Sequence, residues 1–203
     1  MPFHARAWQE AVERYGLRVS RREIYAWEGE SGRVSARTIL RRAGRPATGP
    51  AVAALLNEKE RRFARMARRV SVDPRFRRTL RRLVRHGVPL ALVTGTSSRE
   101  VRRILPATVL RAFQVVVTGD RIRHGKPHPE PYRRAMRALG MPPARTIVVE
   151  NAPYGIRSAQ RAGAGLVVAL ASSLPARFLR EADRTLRSSA DAARLLERLT
   201  VPD

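Results

Sequence analysis

The chain has 203 residues, 43% of them hydrophobic, which suits one globular unit or a core domain with a smaller one. It has no cysteine, which excludes a disulfide framework, a thiolate metal site and a cysteine nucleophile. The formal net charge is +24, almost all from arginine, and it predicts non-specific attraction to polyanions. No apolar run approaches the roughly 20 residues of a membrane span, and MPFHARAWQE lacks a signal-peptide core, so we expect a cytoplasmic protein.

The first 70 residues have a helical pattern and no convincing strand. Ser20 and Glu23 form a capping box, in which each side chain bonds the other residue's backbone, ahead of IYAW. Pro50 opens a long helical run through LLNEKERRFARM. The sequence therefore predicts a helical module at the start of the chain.

An arginine-rich stretch, residues 61–86, follows this run. Asp73 and Pro74 mark the start of a helix within it, and Gly87 marks the end. One predicted face of this helix is apolar: Phe76, Leu80, Leu83 and Val84. The other predicted face is basic: Arg75, Arg78, Arg82 and Arg85. The pattern favours an ordinary amphipathic helix, but an arginine-rich nucleic-acid-binding protein stays open as an alternative.

Beyond Gly87 short β-branched runs alternate with helical segments. The runs are residues 89–94, 114–118, 146–150 and 166–170. The helical segments are residues 98–105, 129–139 and 154–162. This alternation predicts βαβ units, with parallel strands buried on both faces. We predict an α/β fold, with a helical domain over 1–72 and a Rossmann-like parallel-sheet core over 73–203.

Polar groups follow three successive predicted strands. Thr94 and the small residues Gly95 and Thr96 end the first strand and could cradle a phosphate. Alternatively, this is an ordinary βα loop in which Ser97 or Ser98 caps the next helix. Lys126 follows the second strand within GKPHPEPY, either as a phosphate-binding cation or as a surface lysine. Because carboxyl ends of parallel strands meet at one sheet edge, these groups should converge.

An acidic residue and an amide end the third predicted strand. Glu150 and Asn151 offer oxygen atoms of the kind that Mg²⁺ prefers. Alternatively, Asn151 caps the next helix and Glu150 pairs with an arginine. The order of hydroxyl, lysine and acidic pair on three strands points to phosphoryl transfer.

This ordered set resembles the haloacid dehalogenase superfamily, in particular its β-phosphoglucomutase-like phosphatases and phosphomutases with a helical cap. LALVTGTSS, GKPHPEPY and IVVENAPYGIRSAQRAG resemble three of its motifs. The resemblance implies that Thr94 and Lys126 are catalytic and bind phosphate together with Gly95 and Thr96. It implies that Glu150 and Asn151 bind Mg²⁺. It also implies substrate contacts from the N-terminal segment, the EGESG loop and a cap lysine: His4, Glu28, Gly29 and Lys59.

The sequence departs from the family's pattern in two ways: one residue differs, and one motif is absent. Asn151 stands where many relatives carry aspartate, which we interpret as tolerated because Glu150 keeps a charged ligand. The family's D-x-D-G motif, on the central strand before the cap, carries the nucleophile and the general acid and base. No Asp-x-Asp occurs in this chain. We expect that Met1 is an internal methionine, that the aspartates lie upstream, and that the chain as written is inactive and lacks its central strand.

The implied function is a magnesium-dependent phosphatase or phosphomutase that acts on a small phosphorylated metabolite, with sugar phosphates expected, through an aspartyl-phosphate. A catalytically inactive remnant, or a protein that binds a phosphorylated ligand, stays open as an alternative. We expect a monomer with no specific nucleic-acid partner and no membrane partner.

Overall fold

The computed structural model describes residues 2–66 and 72–200. Met1, residues 67–71 and residues 201–203 lie outside the described part, so part of the predicted arginine-rich stretch is not covered. Within the described ranges no helix combines the length and the hydropathy of a membrane-spanning segment.

Four helices form the first part of the described chain: α1 (Pro2–Glu13), α2 (Arg21–Ala26), α3 (Gly32–Arg42) and α4 (Gly49–Met66). They share one apolar cluster that contains Val12, Ile24, Ile39 and Leu55. The predicted capping box at the start of α2 is confirmed, because Glu23 N donates to Ser20 Oγ at 3.2 Å and Ser20 N donates to Glu23 Oε2 at 2.9 Å. The predicted run from Pro50 is a helix that begins one residue earlier.

The rest of the chain alternates helices and strands, as predicted. The first half contains α5 (Pro74–Arg85), β1 (Ala91–Val93), α6 (Ser98–Ile104), α7 (Ala107–Leu110), β2 (Val115–Val117) and α8 (Glu130–Ala138). The second half contains β3 (Ile147–Glu150), α9 (Pro153–Arg161), β4 (Leu166–Leu170), β5 (Arg184–Leu186) and α10 (Ser189–Thr200). The strand β5 and the helices α7 and α10 were not predicted.

All strand pairs among the described residues are parallel, but they form two separate sheets. One sheet pairs β1 with β2, in the register Leu92 opposite Val116. The other has the order β3-β4-β5 and pairs Val148 with Val167. The α/β class is therefore confirmed, and β1 and β3 each keep one edge without a hydrogen-bonded strand in the described ranges.

The core burial lies mainly on the second sheet. Val167 and Val168 of β4 are fully buried, and Ile156 and Ala159 of α9 pack in the same region of the fold. The prediction that every strand is buried on both faces is wrong for three strands: the residues of β1 are only half-buried, and Val116 of β2 and Val149 of β3 are each 36% exposed. All three strands have a neighbour on one edge alone in the described residues.

The basic helix α5 packs against α10 through part of its predicted apolar face. Leu80 and Leu83 are buried, but Val84 is 41% exposed, so its assignment to that face is wrong. Polar contacts also join the two helices: Thr79 Oγ1 donates to Glu197 at 2.7 Å, and Arg82 pairs with the same carboxylate at 3.2 Å. The predicted arginines of α5 are exposed.

Candidate active site

One cavity of about 1200 Å³ lies between the N-terminal helices and the carboxyl ends of β1 and β3. Its lining includes every site residue that the sequence predicts: His4, Glu28, Gly29, Lys59, Thr94, Gly95, Thr96, Lys126, Glu150 and Asn151. The predicted convergence is thus present in the fold. The role of each residue remains a prediction.

Lys126 and Glu150 form a buried ion pair at the base of this cavity. Their exposed fractions are 6% and 7%, and Lys126 Nζ donates to Glu150 Oε1. The same ammonium donates to the carbonyl of Val93 at 3.2 Å. Lys126 therefore connects the end of β1 to the end of β3. The alternative of a surface lysine is excluded by its burial.

Two further donors hold the Glu150 carboxylate in place. Tyr132 Oη donates to Glu150 Oε1 at 2.6 Å, and Asn151 N donates to Glu150 Oε2 at 2.9 Å. Burial, together with the negative charge of Glu150 and this hydrogen bond, raises the pKa of Tyr132 well above its usual value. A Cβ at Gly155 would lie 2.1 Å from this carboxylate, so glycine there makes room for it.

Glu150 and Asn151 fit a hard cation by the chemistry of their donors. A carboxylate offers about four lone-pair sites, and protein donors use three of those on Glu150. Asn151 Nδ2 donates to Ser173 Oγ at 3.2 Å, which orients the amide so that its oxygen is left for a ligand. Mg²⁺ keeps several waters and needs one or two protein oxygens, and this pair could supply them.

The turn after β1 holds the predicted phosphate cradle. Thr94 Oγ1 accepts a hydrogen bond from Thr96 N at 3.2 Å, so the hydroxyl and this amide are joined to each other. Ser97 caps α6 by accepting from Glu100 N at 3.4 Å, so the capping interpretation also holds here. Ser98 instead donates from both N and Oγ to the Asp120 carboxylate.

The EGESG loop between α2 and α3 reaches the strand ends. Gly29 has a positive φ of 95°, which favours glycine, and a Cβ there would lie 3.1 Å from Ala152 Cβ. Tyr154 N, at the start of α9, donates to the Glu28 carbonyl at 3.3 Å. A Cβ at Gly95 would lie 3.2 Å from the carbonyl of Glu30. The loop therefore closes one side of the cavity.

Lys59 and His4 present cationic and imidazole groups from α4 and α1. Lys59 is 6% exposed, and its Nζ lies 5.1 Å from the Phe63 ring centre and 5.9 Å from that of Trp8. His4 stacks on the same Phe63 ring at 4.0 Å. Burial and the nearby charge of Lys59 lower the pKa of His4 well below its usual value, so its imidazole is neutral.

The net charge of the cavity is more positive than the numbers of its cationic and carboxyl side chains indicate. In the described part of the chain six cationic and six carboxyl side chains line it. Burial raises the pKa of Glu28 to about 7 and raises that of Glu30 and Glu100 as well. With a pKa of about 7, Glu28 is partly protonated at neutral pH, so the carboxyl groups carry less negative charge than their number indicates, which favours an anionic ligand.

Sequence reasoning missed several residues that shape this site. Tyr132 is part of GKPHPEPY, and its contact with Glu150 follows from its place on the first turn of α8. Arg161 lines the cavity and donates to the Pro127 carbonyl at 3.1 Å. Arg33, Arg37 and Arg123 also line it, but a chain so rich in arginine gives no signal that separates them from surface arginines.

The family model described as haloacid dehalogenase-like hydrolase matches residues 2–169. The chain belongs to the haloacid dehalogenase-like hydrolase family. Hexitol phosphatase A of Escherichia coli (strain K12) is 31% identical over 202 residues, which cover 99% of this chain and 87% of that protein. Protein CbbY of Cereibacter sphaeroides is 31% identical over 199 residues, which cover 93% of this chain and 86% of that protein.

Solved structures of the family share the fold. CbbY from Rhodobacter sphaeroides in complex with phosphate superposes with a TM-score of 0.73 and 26% identity, covering 94% of this chain and 88% of that one. A mutant of the same protein has been solved with xylulose-(1,5)bisphosphate, with a TM-score of 0.72. This haloacid dehalogenase-like chain therefore has relatives that act on, or bind, phosphorylated sugars and sugar alcohols.

Proposed function

We propose that this chain forms most of a magnesium-dependent phosphatase or phosphomutase for small sugar or sugar-alcohol phosphates. The observation that carries the proposal is the convergence of Thr94, Lys126, Glu150 and Asn151 on one cavity at the carboxyl ends of parallel strands. The excess of effective positive charge in that cavity suits a phosphate. The similarity to a hexitol phosphatase supports the substrate class.

The residues of this chain would bind and polarise the phosphoryl group. Lys126 supplies a buried ammonium whose charge offsets that of the phosphoryl oxygens in the transition state. Thr94 Oγ1, already accepting from Thr96 N, keeps its own proton to donate to a phosphoryl oxygen. Tyr132 holds Glu150 in place, so it positions the carboxylate rather than touching substrate.

The proposed cofactor is Mg²⁺, held by Glu150 and Asn151. When bound, it supplies charge neutralisation and orientation of the phosphate. The neutral Asn151 contributes an oxygen without a charge. The carboxylate of Glu150 therefore carries the electrostatic part of this chain's contribution, which makes its hydrogen bonds to Tyr132 and Asn151 N important for keeping it oriented.

We propose that the attacking aspartate and the acid–base aspartate lie upstream of Met1, on a strand between β1 and β3. Two facts support this position: both strands keep an edge without a hydrogen-bonded neighbour in the described residues, and Lys126 connects them through Val93 and Glu150. Phosphoryl transfer to that aspartate would form the aspartyl-phosphate. The 203-residue chain alone could bind a phosphorylated ligand but could not form this intermediate.

We further propose a division into a helical cap, residues 1–72, and an α/β core, residues 73–203. Separate apolar clusters support it, one shared by α1–α4 and one centred on β4 and α9. The cap would contribute His4, Glu28, Gly29 and Lys59 to the substrate side of the cavity, where they would read the part of the substrate beyond the phosphate and exclude water.

The test compares the 203-residue chain with one extended by the in-frame residues encoded upstream of Met1. Phosphate release from hexitol and sugar phosphates is measured with and without a magnesium chelator. We expect activity only in the extended chain with Mg²⁺, and a loss of at least roughly 10²-fold in turnover for Lys126→Ala. The matched control is Arg85→Ala, an exposed cation on α5, which should leave turnover unchanged.

Three outcomes would overturn the proposal. The first is turnover by the unextended chain, which would need a different nucleophile. The second is near-normal turnover of Lys126→Ala in the extended chain. The third combines two observations: the upstream sequence contains no D-x-D-G, and the intact mass of the protein from its native cell matches a chain that begins at Met1. That result would favour the remnant or phosphate-binding alternative.

A further inference from the structure

A cluster of two histidines and a glutamate lies on the loop that carries Lys126. The ring nitrogens of His124 and His128 and a carboxylate oxygen of Glu130 lie within 4.8 Å of one another. The two imidazole rings are 4.6 Å apart between centres. No step of the proposed phosphoryl transfer uses these side chains. The cluster shares no residue with the Glu150 and Asn151 pair.

We propose that His124, His128 and Glu130 bind a borderline divalent transition metal, with Zn²⁺ as its representative. Imidazole nitrogen and carboxylate oxygen are ligands of this class, and two histidines with one acidic residue supply three positions of a tetrahedral site. Ligand bonds of about 2.0–2.1 Å place ligand atoms roughly 3.3 Å apart in such a site. Both histidines are exposed, so small rotations of their rings can close the remaining distance.

Backbone contacts already fix the acidic ligand. Glu130 Oε1 accepts from Arg123 N, and Oε2 accepts from His124 N, each at 2.8 Å. His124 Nδ1 lies 3.0 Å from the same Oε2. The carboxylate is thus held at the start of α8 and faces the imidazole of His124. Preorganisation of one ligand lowers the ordering cost of binding.

Neither ring nitrogen of His128 makes a strong contact that a metal would have to displace. Glu130 N donates to His128 Nδ1 at 3.2 Å, which is the longest of the four hydrogen-bond contacts of Glu130. This amide is exposed, so water can replace the imidazole as its acceptor. A metal at Nδ1 would therefore cost the loop one weak hydrogen bond, and a metal at Nε2 would leave that bond in place.

The charge around the loop selects against hard cations. Arg123 is the neighbour of His124 in the chain, and Arg161 binds the loop through the Pro127 carbonyl. These arginines oppose a cation held mainly by electrostatic attraction, such as Mg²⁺ or Ca²⁺. Binding through imidazole nitrogen depends less on local charge, because Zn²⁺-class ions form strong bonds to neutral nitrogen ligands.

Metal binding would affect the segment that presents Lys126 to the cavity. Lys126 lies between the two histidines in the chain, and both histidines line the cavity. An ion that joins residues 124, 128 and 130 fixes this segment from both sides. The loop would therefore respond to transition metals through this site, independently of the proposed Mg²⁺ site at Glu150 and Asn151.

The test is isothermal titration calorimetry of the 203-residue chain with Zn²⁺ alone, in chelator-free buffer at about pH 7.5. We expect one ion per chain with a Kd below about 10 µM, and at least tenfold weaker binding in both His124→Ala and His128→Ala. His86→Ala is the matched control, because His86 is an exposed histidine outside the cluster. The affinity of this variant for Zn²⁺ should equal that of the parent chain.

A second measurement does not depend on the variants. Long-range ¹H–¹⁵N spectra of the imidazoles in the parent chain should show zinc-dependent shifts for His124 and His128 and none for His86. A Kd weaker than about 10 µM, a loss in only one histidine variant, or equal shifts in all imidazoles would overturn the proposal. No phosphatase activity enters either readout, so failure of the metal site and failure of the proposed function are distinguishable.

Discussion

At the scale of single residues, Glu150 is the most tightly constrained group of the site. A buried carboxylate is stable only if its charge is compensated and its oxygens are hydrogen-bonded. Lys126 compensates the charge, and Tyr132 and the Asn151 amide complete the hydrogen bonds. Gly155 leaves the space that the carboxylate fills. This dense arrangement makes small changes around Glu150 costly.

Gly155→Ala should therefore destabilise the fold, because the new Cβ would lie 2.1 Å from the Glu150 carboxylate. Overpacking of this kind costs about 1–3 kcal/mol, which urea unfolding monitored by circular dichroism would detect. Gly49→Ala is the control, since a Cβ at Gly49 meets nothing within 4 Å. Equal stability of the two variants would show that the carboxylate moves aside without cost.

Asp120 should make the stability of the fold depend on acid pH. Partial desolvation raises its pKa, but hydrogen bonds, with those from Ser98 foremost among them, together outweigh this effect and lower the pKa to about 2 from the ordinary 3.8. A lowered pKa stabilises the folded state above pH 4, and this contribution is lost as the pH falls towards 2. Asp120→Asn should reduce the drop in melting temperature between about pH 5 and about pH 2.5. An unchanged drop would contradict the assignment.

At the scale of elements, the sequence predicted a strand wherever the residues of that strand form a run of β-branched apolar side chains. In the described ranges, the strands β1 to β4 each coincide with a β-branched apolar run, and these runs predicted them. The strand Arg184–Leu186 was missed, since two of its three residues are polar and exposed and it has no apolar run, so it is recognisable only from its pairing with β4. The half-burial of β1 was also not predictable, because it depends on which strands are neighbours.

The capping box of α2 should stabilise the helix that leads into the EGESG loop. Ser20→Ala removes the acceptor of Glu23 N, and the expected cost is about 1 kcal/mol in chemical unfolding. Ser31→Ala is the matched control, because Ser31 is the N-cap of α3 but makes no side-chain cap hydrogen bond. A similar loss in both variants would mean that the capping bond does not account for the effect.

At the scale of the whole molecule, the convergence of strand ends on one site was predictable, and the contacts that close it were not. Parallel strands place Thr94, Lys126 and Glu150 at one edge whatever the details of the loops. The approach of Gly29 to Ala152 and the donation from Tyr154 to Glu28 depend on how the N-terminal helices pack, which no local pattern encodes.

The net charge of +24 should give salt-sensitive binding to nucleic acids without sequence preference. We expect fluorescence anisotropy to detect duplex DNA binding at low ionic strength and to lose it by about 150 mM salt, with equal affinities for unrelated sequences. Such loss follows from counterion release alone. Selective binding that survives this salt concentration would instead support a nucleic-acid-binding function for the arginines of α5.

Because Lys126 bridges the two sheets, a ligand that binds this ammonium also affects how strongly the sheets are held together. One ammonium contacts the last residue of β1 and the last residue of β3, where a ladder of amides is the usual connection. An anion that draws this ammonium away from Glu150 weakens the link while it binds. The observed affinity of such a ligand therefore already includes the cost of the weakened link, and the rise in melting temperature at saturation follows from that net affinity.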